Sequence, residues 1–405
     1  MLYSLNSIFS AVIFKTLVQV DLPGGSHQHE INGVNSVKEF FETGQSISGT
    51  ISWHYFSDDS EPLQDTGSFT FYDARARSTD RTGRTEWRMY YSGDFLSCAQ
   101  PGDVLVLTRT LGGMIFGLIF QNNSSWLRTA QVLFQLGNVT PRMQLITRES
   151  LQSQELEFAR RQILEELGIE ISIPSQADDD EIAVRELALA NKLGRDFPST
   201  SRMSELAQSL VEVDLRNADA ALLAFVDREE KVFRAIEKIL VTRKLEEGFL
   251  SVDDFISYSL SVQNRRKSRM GFALQNHLSR IFTARQLRFD AQVITEGRNR
   301  PDFIFPGGQE YHDLDFNAEL LVMLAAKSSL KDRWRQILDE AERIPSKHLC
   351  TLEQAISVDQ TRAMAGRMVT LVIPSAFHVT YTAEQQRNLW SIDQFVDYVK
   401  SVQRL

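Results

Sequence analysis

Apolar residues in the first 170 positions fall in short runs that alternate with polar residues, a pattern typical of β-strands. Turn-forming residues at 92–94, 101–103 and 111–113 separate several of these runs. Strands are predicted at 47–53, 68–72, 87–91, 103–108 and 114–120. Short strands at this spacing favour a barrel or a sandwich. Residues 1–172 are therefore expected to form a mainly β domain.

The spacing of apolar residues becomes helical in the middle of the chain and mixed toward its end. Helices are predicted at 149–167, 204–211, 218–244, 251–260, 269–282, 332–343 and 392–403. Strands are predicted at 292–295, 303–305, 320–326, 348–351 and 369–373. This alternation favours an α/β domain over residues 199–405, with a mixed sheet flanked by helices.

A linker is expected between the two domains, at residues 173–198. It contains a Pro-Ser-Gln-Ala segment at 174–177 and an acidic run at 178–181. Such a run is typical of a solvated loop or of a helix N-terminus, where carboxylates complement the helix dipole.

Composition limits the classes of function. A chain of 405 residues exceeds the usual size of one core, so two domains are expected. The net charge of −9 means that any nucleic-acid surface must be a local basic patch. Two distant cysteines and no apolar run of spanning length indicate an intracellular, cytoplasmic protein without a membrane segment. No Gly-Lys-Ser/Thr follows the glycines near residue 112, so a nucleotide cofactor is not expected.

Candidate chemistry is concentrated between Pro301 and Glu340. Asp302 begins a predicted strand, and Lys327 directly follows the apolar run of the next predicted strand. Glu340 lies on the predicted helix 332–343, two turns from Arg333 and on the same face. Two carboxylates, with the backbone carbonyl of Ala326, suit Mg²⁺, which activates water for phosphodiester hydrolysis. An ammonium beside them can orient water and stabilise the transition state.

The same residues have a plainer interpretation. A Pro-Asp at a strand start, a lysine at a strand end and a glutamate on a helix each occur by chance in many proteins. The helix could equally carry exposed ion pairs of little energetic value.

Three groups of residues are candidate DNA contacts. The triplet Lys331, Asp332 and Arg333 offers donors for guanine O6 and N7 and an acceptor for cytosine N4, although such a triplet is also typical of a solvated helix terminus. Basic residues just before the predicted helix 269–282 suit phosphates, or an exposed turn paired with acids: Arg265, Arg266, Lys267 and Arg269. In the first domain, basic residues interleaved with aromatics suit a DNA-facing hairpin: Arg75, Arg77, Arg81, Arg84, Trp87 and Arg88.

Four segments of the last 200 residues resemble the EcoRII-like type II restriction endonucleases of the PD-(D/E)xK nuclease superfamily. These segments are 261–269, 294–297, 301–306 and 331–338. The resemblance implies a restriction-endonuclease-like core. It also implies an N-terminal DNA-binding pseudobarrel, for which the match rests on strand density and domain order.

The resemblance also implies roles for individual residues. Asp302 matches the metal-binding aspartate, Lys327 the catalytic lysine, and Glu340 a metal-binding glutamate displaced onto the helix. That displacement accounts for Ala325, which stands two residues before the lysine where the simplest superfamily pattern has an acid. Tyr311 matches a tyrosine that the family places near its active site.

One position departs from the family. Gln275 stands where the family has a further glutamate, and an amide has no charge to offer a metal ion. Slower cleavage or altered metal affinity would follow.

The resemblance implies double-stranded DNA as partner and a site of the CCWGG or CCNGG type, read by residues 331–333. The first domain would bind a second copy of the site and restrain the nuclease until it does. Cutting both strands of a near-palindrome favours a homodimer. Two alternatives stay open: a DNA-binding protein whose nuclease site has weakened, and a DNA-repair nuclease without a fixed sequence.

Overall fold

The computed structural model describes residues 5–23, 29–32, 35–41, 45–58, 60–75, 86–151, 163–164, 167, 177–327, 330–353 and 356–404. The chain divides into two compact units. One comprises Met1–Ile171 with Gln354–Ser357, and the other comprises Ser172–Glu353 with Val358–Leu405. Within the described part of the chain, every helix is too short or too polar to cross a membrane.

An eight-stranded sheet dominates the N-terminal unit, in the order β2-β5-β4-β3-β7-β6-β1-β8. Its strands are β1 Phe9–Thr16, β2 Glu30–Asn32, β3 Ile47–Phe56, β4 Leu63–Asp73, β5 Trp87–Tyr91, β6 Val104–Thr110, β7 Ile115–Phe120 and β8 Gln144–Thr147. Neighbouring strands are antiparallel except β3 and β7, which are parallel. All five strands predicted from the alternating pattern are confirmed in position. The pseudobarrel itself stays a prediction.

This sheet packs against an apolar cluster on each of its faces, and successive side chains of one strand join different clusters because they point to opposite sides. In β1, Ile13 belongs to one apolar cluster with Trp53, and Phe14 belongs to a second cluster with Phe120. A Cβ at position 117 would lie 2.2 Å from the Trp53 ring, so only glycine fits there.

Two helices cover parts of this sheet. Helix α1, Asn35–Phe41, contributes Phe40 and Phe41 to the first cluster. Helix α2, Ser125–Phe134, was not predicted; Ser124 caps it, and Phe134 joins the second cluster. The predicted helix 149–167 lies largely outside the described residues.

Four helices open the C-terminal unit: α3 Ala177–Lys192, α4 Thr200–Ser209, α5 Ala218–Glu247 and α6 Val252–Ala284. Residues 177–192 of the segment expected to be a linker are thus helical, and Leu187 joins Phe233 of α5 in a buried cluster. Helix α6 is one continuous helix, whereas two were predicted at 251–260 and 269–282. The prediction of a break was wrong because the polar residues between them pair with α5 instead of forming a turn.

A five-stranded mixed sheet follows, in the order β13-β12-β11-β10-β9, with the pairs among β11, β12 and β13 parallel and the others antiparallel. Its strands are β9 Asp290–Ala291, β10 Phe303–Phe305, β11 Val322–Ala326, β12 Lys347–Cys350 and β13 Val369–Val372. The predicted strand 292–295 was wrong: Gln292 has φ 56°, a left-handed conformation that ends β9 before it.

Four more helices complete the unit: α7 Gly308–His312, α8 Val358–Ala365, α9 Ala383–Gln386 and α10 Ile392–Gln403. Phe282 of α6 and Phe395 of α10 pack edge to face on Phe305 of β10. The prediction of a mixed sheet flanked by helices is therefore confirmed.

Candidate active site

Asp302 lies at the start of β10 and faces the end of β11. The antiparallel register pairs Phe303 with Leu324, which brings Asp302 beside the last residues of β11. Its Oδ2 accepts hydrogen bonds from the Ala326 amide at 2.7 Å and from Lys327 Nζ at 3.1 Å. The carboxylate is 7% exposed. Asp302 and Lys327 therefore meet at the rim of the sheet.

Gln292 holds the other oxygen of the same carboxylate. Its Nε2 lies 2.9 Å from Asp302 Oδ1 and 3.3 Å from Gln275 Oε1, so one amide joins both side chains. Gln292 was not among the predicted site residues, because a single glutamine in the sequence carries no signal of such a contact. Gln275, where the resemblance implies a glutamate, is joined to Asp302 through the side chain of Gln292.

Glu340 is placed differently from the prediction. Residues 331–339 form a 3₁₀ helix, and Glu340 follows it in an extended conformation with φ −85° and ψ 138°. The expected α-helix 332–343, with Arg333 and Glu340 on one face, was therefore wrong. Ala341 has φ 50°, and this left-handed residue prevents the helix from continuing.

The Glu340 carboxyl is buried beside the other two side chains. Burial raises its pKa; the charge of Lys327 opposes that rise, and the charge of Asp302 adds to it. Its Oε2 is buried and has no hydrogen-bond partner among the described residues. An unpaired buried carboxylate oxygen is costly unless a cation or donor arrives.

These residues fit a magnesium ion. Mg²⁺ is usually held by one or two carboxylates and keeps several waters, so it needs no larger cluster of acids. The described residues contain no group of three histidine, cysteine or acidic side chains that could hold a metal. Asp302 and the unpaired Glu340 oxygen offer the two carboxylates. The Ala326 carbonyl as a third ligand stays a prediction.

Tyr311 of α7 is fully buried, and its hydroxyl is engaged away from Asp302. The hydroxyl lies 2.6 and 2.8 Å from the two carboxylate oxygens of Glu296 and donates to that group. Burial, followed by this hydrogen bond, raises the pKa of Tyr311. The structure thus gives Tyr311 a supporting position. A direct catalytic part for it stays a prediction.

The candidate base-reading residues begin the 3₁₀ helix Lys331–Asp339. The description of Lys331, Asp332 and Arg333 covers their backbone only. The amide of Leu330, which precedes them, donates to the Glu353 carboxylate. Glu353 therefore anchors the start of the segment expected to read bases.

The basic cluster lies inside α6 and not before a helix. Arg266 pairs with Glu237 at 2.6 Å, and Arg269 pairs with Glu230 while its guanidinium lies over the Phe233 ring. Arg269 is only 6% exposed, so a phosphate contact by it is excluded in this conformation. Arg265 lies over the Phe197 ring, and only the backbone of Lys267 is described.

The described side chains of the candidate hairpin in the N-terminal unit also contact other residues of that unit. Trp87 is 6% exposed and stacks on Phe71, so its predicted contact with DNA was wrong: its indole belongs to the core. Arg75 and Arg88 both pair with Glu86. Arg77, Arg81 and Arg84 lie outside the described residues.

Comparison with known proteins concerns mainly the C-terminal unit. Residues 233–396 match the family model described as EcoRII C terminal. The type II restriction enzyme EcoRII of Escherichia coli is 42% identical over 201 residues, which is 49% of this chain and 50% of that enzyme. The chain thus spans about half the length of this curated relative.

Solved structures resemble the chain more distantly. Metal-depleted Ecl18kI in complex with uncleaved DNA has 19% identity and a TM-score of 0.44, over 56% of this chain and 84% of that one. A complex of the restriction endonuclease PspGI with substrate DNA has 13% identity and a TM-score of 0.45, over 52% and 94%.

Proposed function

We propose, from the match of residues 233–396 to the EcoRII C-terminal family, that the chain is a type II restriction endonuclease. It cleaves both strands of DNA at a short site in a Mg²⁺-dependent reaction. The observation that carries this proposal is the meeting of Asp302 and Lys327 at one sheet rim, beside a buried Glu340 with an unpaired oxygen.

Each side chain has a distinct part in phosphodiester hydrolysis. A bound Mg²⁺ supplies charge neutralisation and a more acidic water. Asp302 and Glu340 would hold the ion, while the Ala326 amide and Gln292 orient the Asp302 carboxylate. The Lys327 ammonium donates a hydrogen bond to the attacking water or to a phosphate oxygen and so stabilises the developing negative charge.

We assign recognition of the DNA bases to residues 331–333, which begin the 3₁₀ helix. Arg333 and Lys331 suit guanine O6 and N7 in the major groove, and Asp332 suits cytosine N4. The site is of the CCWGG or CCNGG type, as the likeness to EcoRII implies. Because such a site is nearly two-fold symmetric, the active form is a homodimer.

The N-terminal unit acts as a DNA-binding effector domain that restrains the nuclease. This part of the proposal rests on the order of the two units and on the mainly β architecture of the first. Residues 77, 81 and 84 remain its candidate DNA contacts.

One observation favours a second function. Gln275 supplies an amide where the family has a glutamate, and it lies within one side chain of Asp302. The alternative is a sequence-specific DNA-binding protein whose nuclease activity has weakened.

Digestion of DNA of known sequence with Mg²⁺, followed by mapping of fragment ends, tests the proposal. Ends that share one CC/GG-containing site are the expected result. Ends scattered over unrelated sequences would indicate a nuclease without a fixed site. Intact DNA with every divalent metal, together with specific binding, would support the alternative.

A further inference from the structure

The segment that carries Glu340 lacks the hydrogen bonds of regular structure. Residues 340–344 follow the 3₁₀ helix and precede β12, with Glu340 extended and Ala341 left-handed. Buried backbone groups in such a segment need partners from side chains or from water. The groups that bind this backbone therefore determine where the Glu340 carboxylate lies.

Lys347, the first residue of β12, supplies three of these partners. Its side chain is buried, with 5% of the residue exposed. Its Nζ donates to the carbonyl oxygens of Glu340, of Ala341 at 3.1 Å and of Ile344 at 3.0 Å. An ammonium has three N–H donors, so this set uses all of them.

Side chains from residues 295–299 also form hydrogen bonds with the backbone around Glu340. Asn299 Nδ2 donates to the Asp339 carbonyl at 2.8 Å, and the Glu342 amide donates to Glu296 at 3.2 Å. Glu296 is the same carboxylate that accepts from the Tyr311 hydroxyl. The segment is thus held from two directions, by Lys347 and by residues 295–299.

We propose that Lys347 is a positioning residue for Glu340: its ammonium binds the backbone on both sides of Ala341 and holds the Glu340 carboxylate toward the metal site. This inference rests on the proposed function, because it assumes that Glu340 is a metal ligand. It assigns a part to a buried lysine that carries no signal in the sequence.

A purely structural part for Lys347 makes a different prediction. If Lys347 only stabilised the fold, its replacement by an apolar residue would leave three buried carbonyl oxygens without a donor and would lower the free energy of unfolding. Metal affinity would then be unchanged. A residue that positions a ligand instead changes metal affinity by about 10–100-fold when it is replaced.

The test compares the Mn²⁺ affinity of Lys347→Met with that of the wild-type chain. Each protein is titrated with Mn²⁺, and the free ion is measured by electron paramagnetic resonance. Methionine keeps the length of the side chain but has no N–H donor. We expect Mn²⁺ affinity to fall by about tenfold or more, while DNA binding without metal stays within twofold. Lys15→Met is the matched control, since Lys15 is a buried lysine of the other unit, and it should leave Mn²⁺ affinity unchanged.

Glu340→Gln, measured in parallel, distinguishes the proposal that Lys347 positions Glu340 from the proposal that Glu340 is a metal ligand. Loss of affinity in Glu340→Gln but not in Lys347→Met would overturn the positioning proposal and leave the proposed function intact. Unchanged affinity in both would remove the metal site itself and with it the proposed function. Should Lys347→Met fail to fold, Lys347→Gln, whose amide keeps two N–H donors instead of three, is measured in its place, and the same thresholds apply to it.

Discussion

At the scale of single residues, Gln275 lies where the resemblance to the EcoRII-like family implies a glutamate. Its Oε1 accepts a hydrogen bond from Gln292, which also donates to Asp302. A carboxylate at position 275 can accept the same hydrogen bond and adds a negative charge near the metal ligands. If Asp302 and Glu340 hold the proposed metal ion, an amide at this position should therefore weaken metal binding without changing the hydrogen-bond pattern.

Gln275→Glu is expected to lower the Mg²⁺ concentration needed for half-maximal cleavage by about tenfold, or about 1.4 kcal/mol of binding free energy. The measurement is plasmid cleavage over a Mg²⁺ series. Gln275→Ala, the control, removes the acceptor and adds no charge, so it should not lower the Mg²⁺ requirement. A higher Mg²⁺ requirement in Gln275→Glu would contradict this account.

The sequence predicted the residue types of the site better than their geometry. Asp302 and Lys327 flank two strands that were predicted from their apolar runs, and Lys327 was expected at the rim of the sheet beside the strand of Asp302. The antiparallel register that brings the two side chains together was not predicted. Glu340 was expected on a helix because Trp334, Ile337, Leu338 and Ala341 have helical spacing. Lys347 was not predicted as a site residue. It binds the carbonyl oxygens of a segment whose conformation depends on tertiary contacts, and these contacts cannot be inferred from residue spacing.

At the scale of elements, strand β12 carries a buried histidine against helix α10. His348 lies among Phe395, Trp390 and Tyr398, and its Nδ1 is 3.2 Å from the Met323 carbonyl. Burial lowers the pKa of His348 to about 4. The folded state therefore holds this ring neutral at pH values where an unfolded chain protonates it.

The free energy of unfolding should fall as the pH drops from about 6.5 to about 4, because the unfolded state then binds a proton that the folded state refuses. His348 accounts for about 3 kcal/mol of this loss. Urea denaturation of wild type and His348→Phe at pH 7 and pH 4.5 measures it. Parallel pH dependences of the two proteins would contradict the assignment.

Strand β5 gives a second prediction at this scale. Because Trp87 stacks on Phe71 in the core, Trp87→Ala should lower the free energy of unfolding by about 3–5 kcal/mol. Trp87→Phe, which keeps an aromatic ring, should cost much less. A stable Trp87→Ala protein that has lost DNA binding would instead restore Trp87 as a DNA contact.

The longest helix shows why the limits of elements were hard to predict. Residues 261–268 are polar except for Val262, so the helical spacing of apolar residues is lost there and two separate helices were predicted. In the structure, Arg266 and Arg269 reach carboxylates on α5 and keep α6 continuous. Such pairs join residues about 30 to 40 positions apart, and spacing along one element cannot predict them.

At the scale of the whole molecule, the two units suggest how the chain should be divided. Helix α3, residues 177–192, contributes Ala183 and Leu187 to the core of the C-terminal unit, although it lies in the segment expected to be a linker. A truncation that tests restraint by the first unit should therefore begin at residue 177.

Deletion of residues 1–176 should leave cleavage unchanged or raise it, since the nuclease unit stays complete and loses its restraint. Deletion of residues 1–198 is the control: it also removes α3, exposes Phe233 and Ile236, and should lower the melting temperature. Cleavage assays and thermal denaturation of both truncations measure this. An inactive but folded 177–405 protein would contradict restraint by the N-terminal unit.

Whether the chain is a nuclease that depends on Lys327 is tested most directly by cleavage of supercoiled plasmid with Mg²⁺. Wild type and Lys327→Met are compared, and their DNA binding is measured by gel shift. Lys192→Met, an exposed lysine on α3, is the control. We expect wild type and the control to cut the plasmid, whereas Lys327→Met binds DNA with unchanged affinity and does not cut it. Normal cleavage by a folded Lys327→Met protein would contradict it.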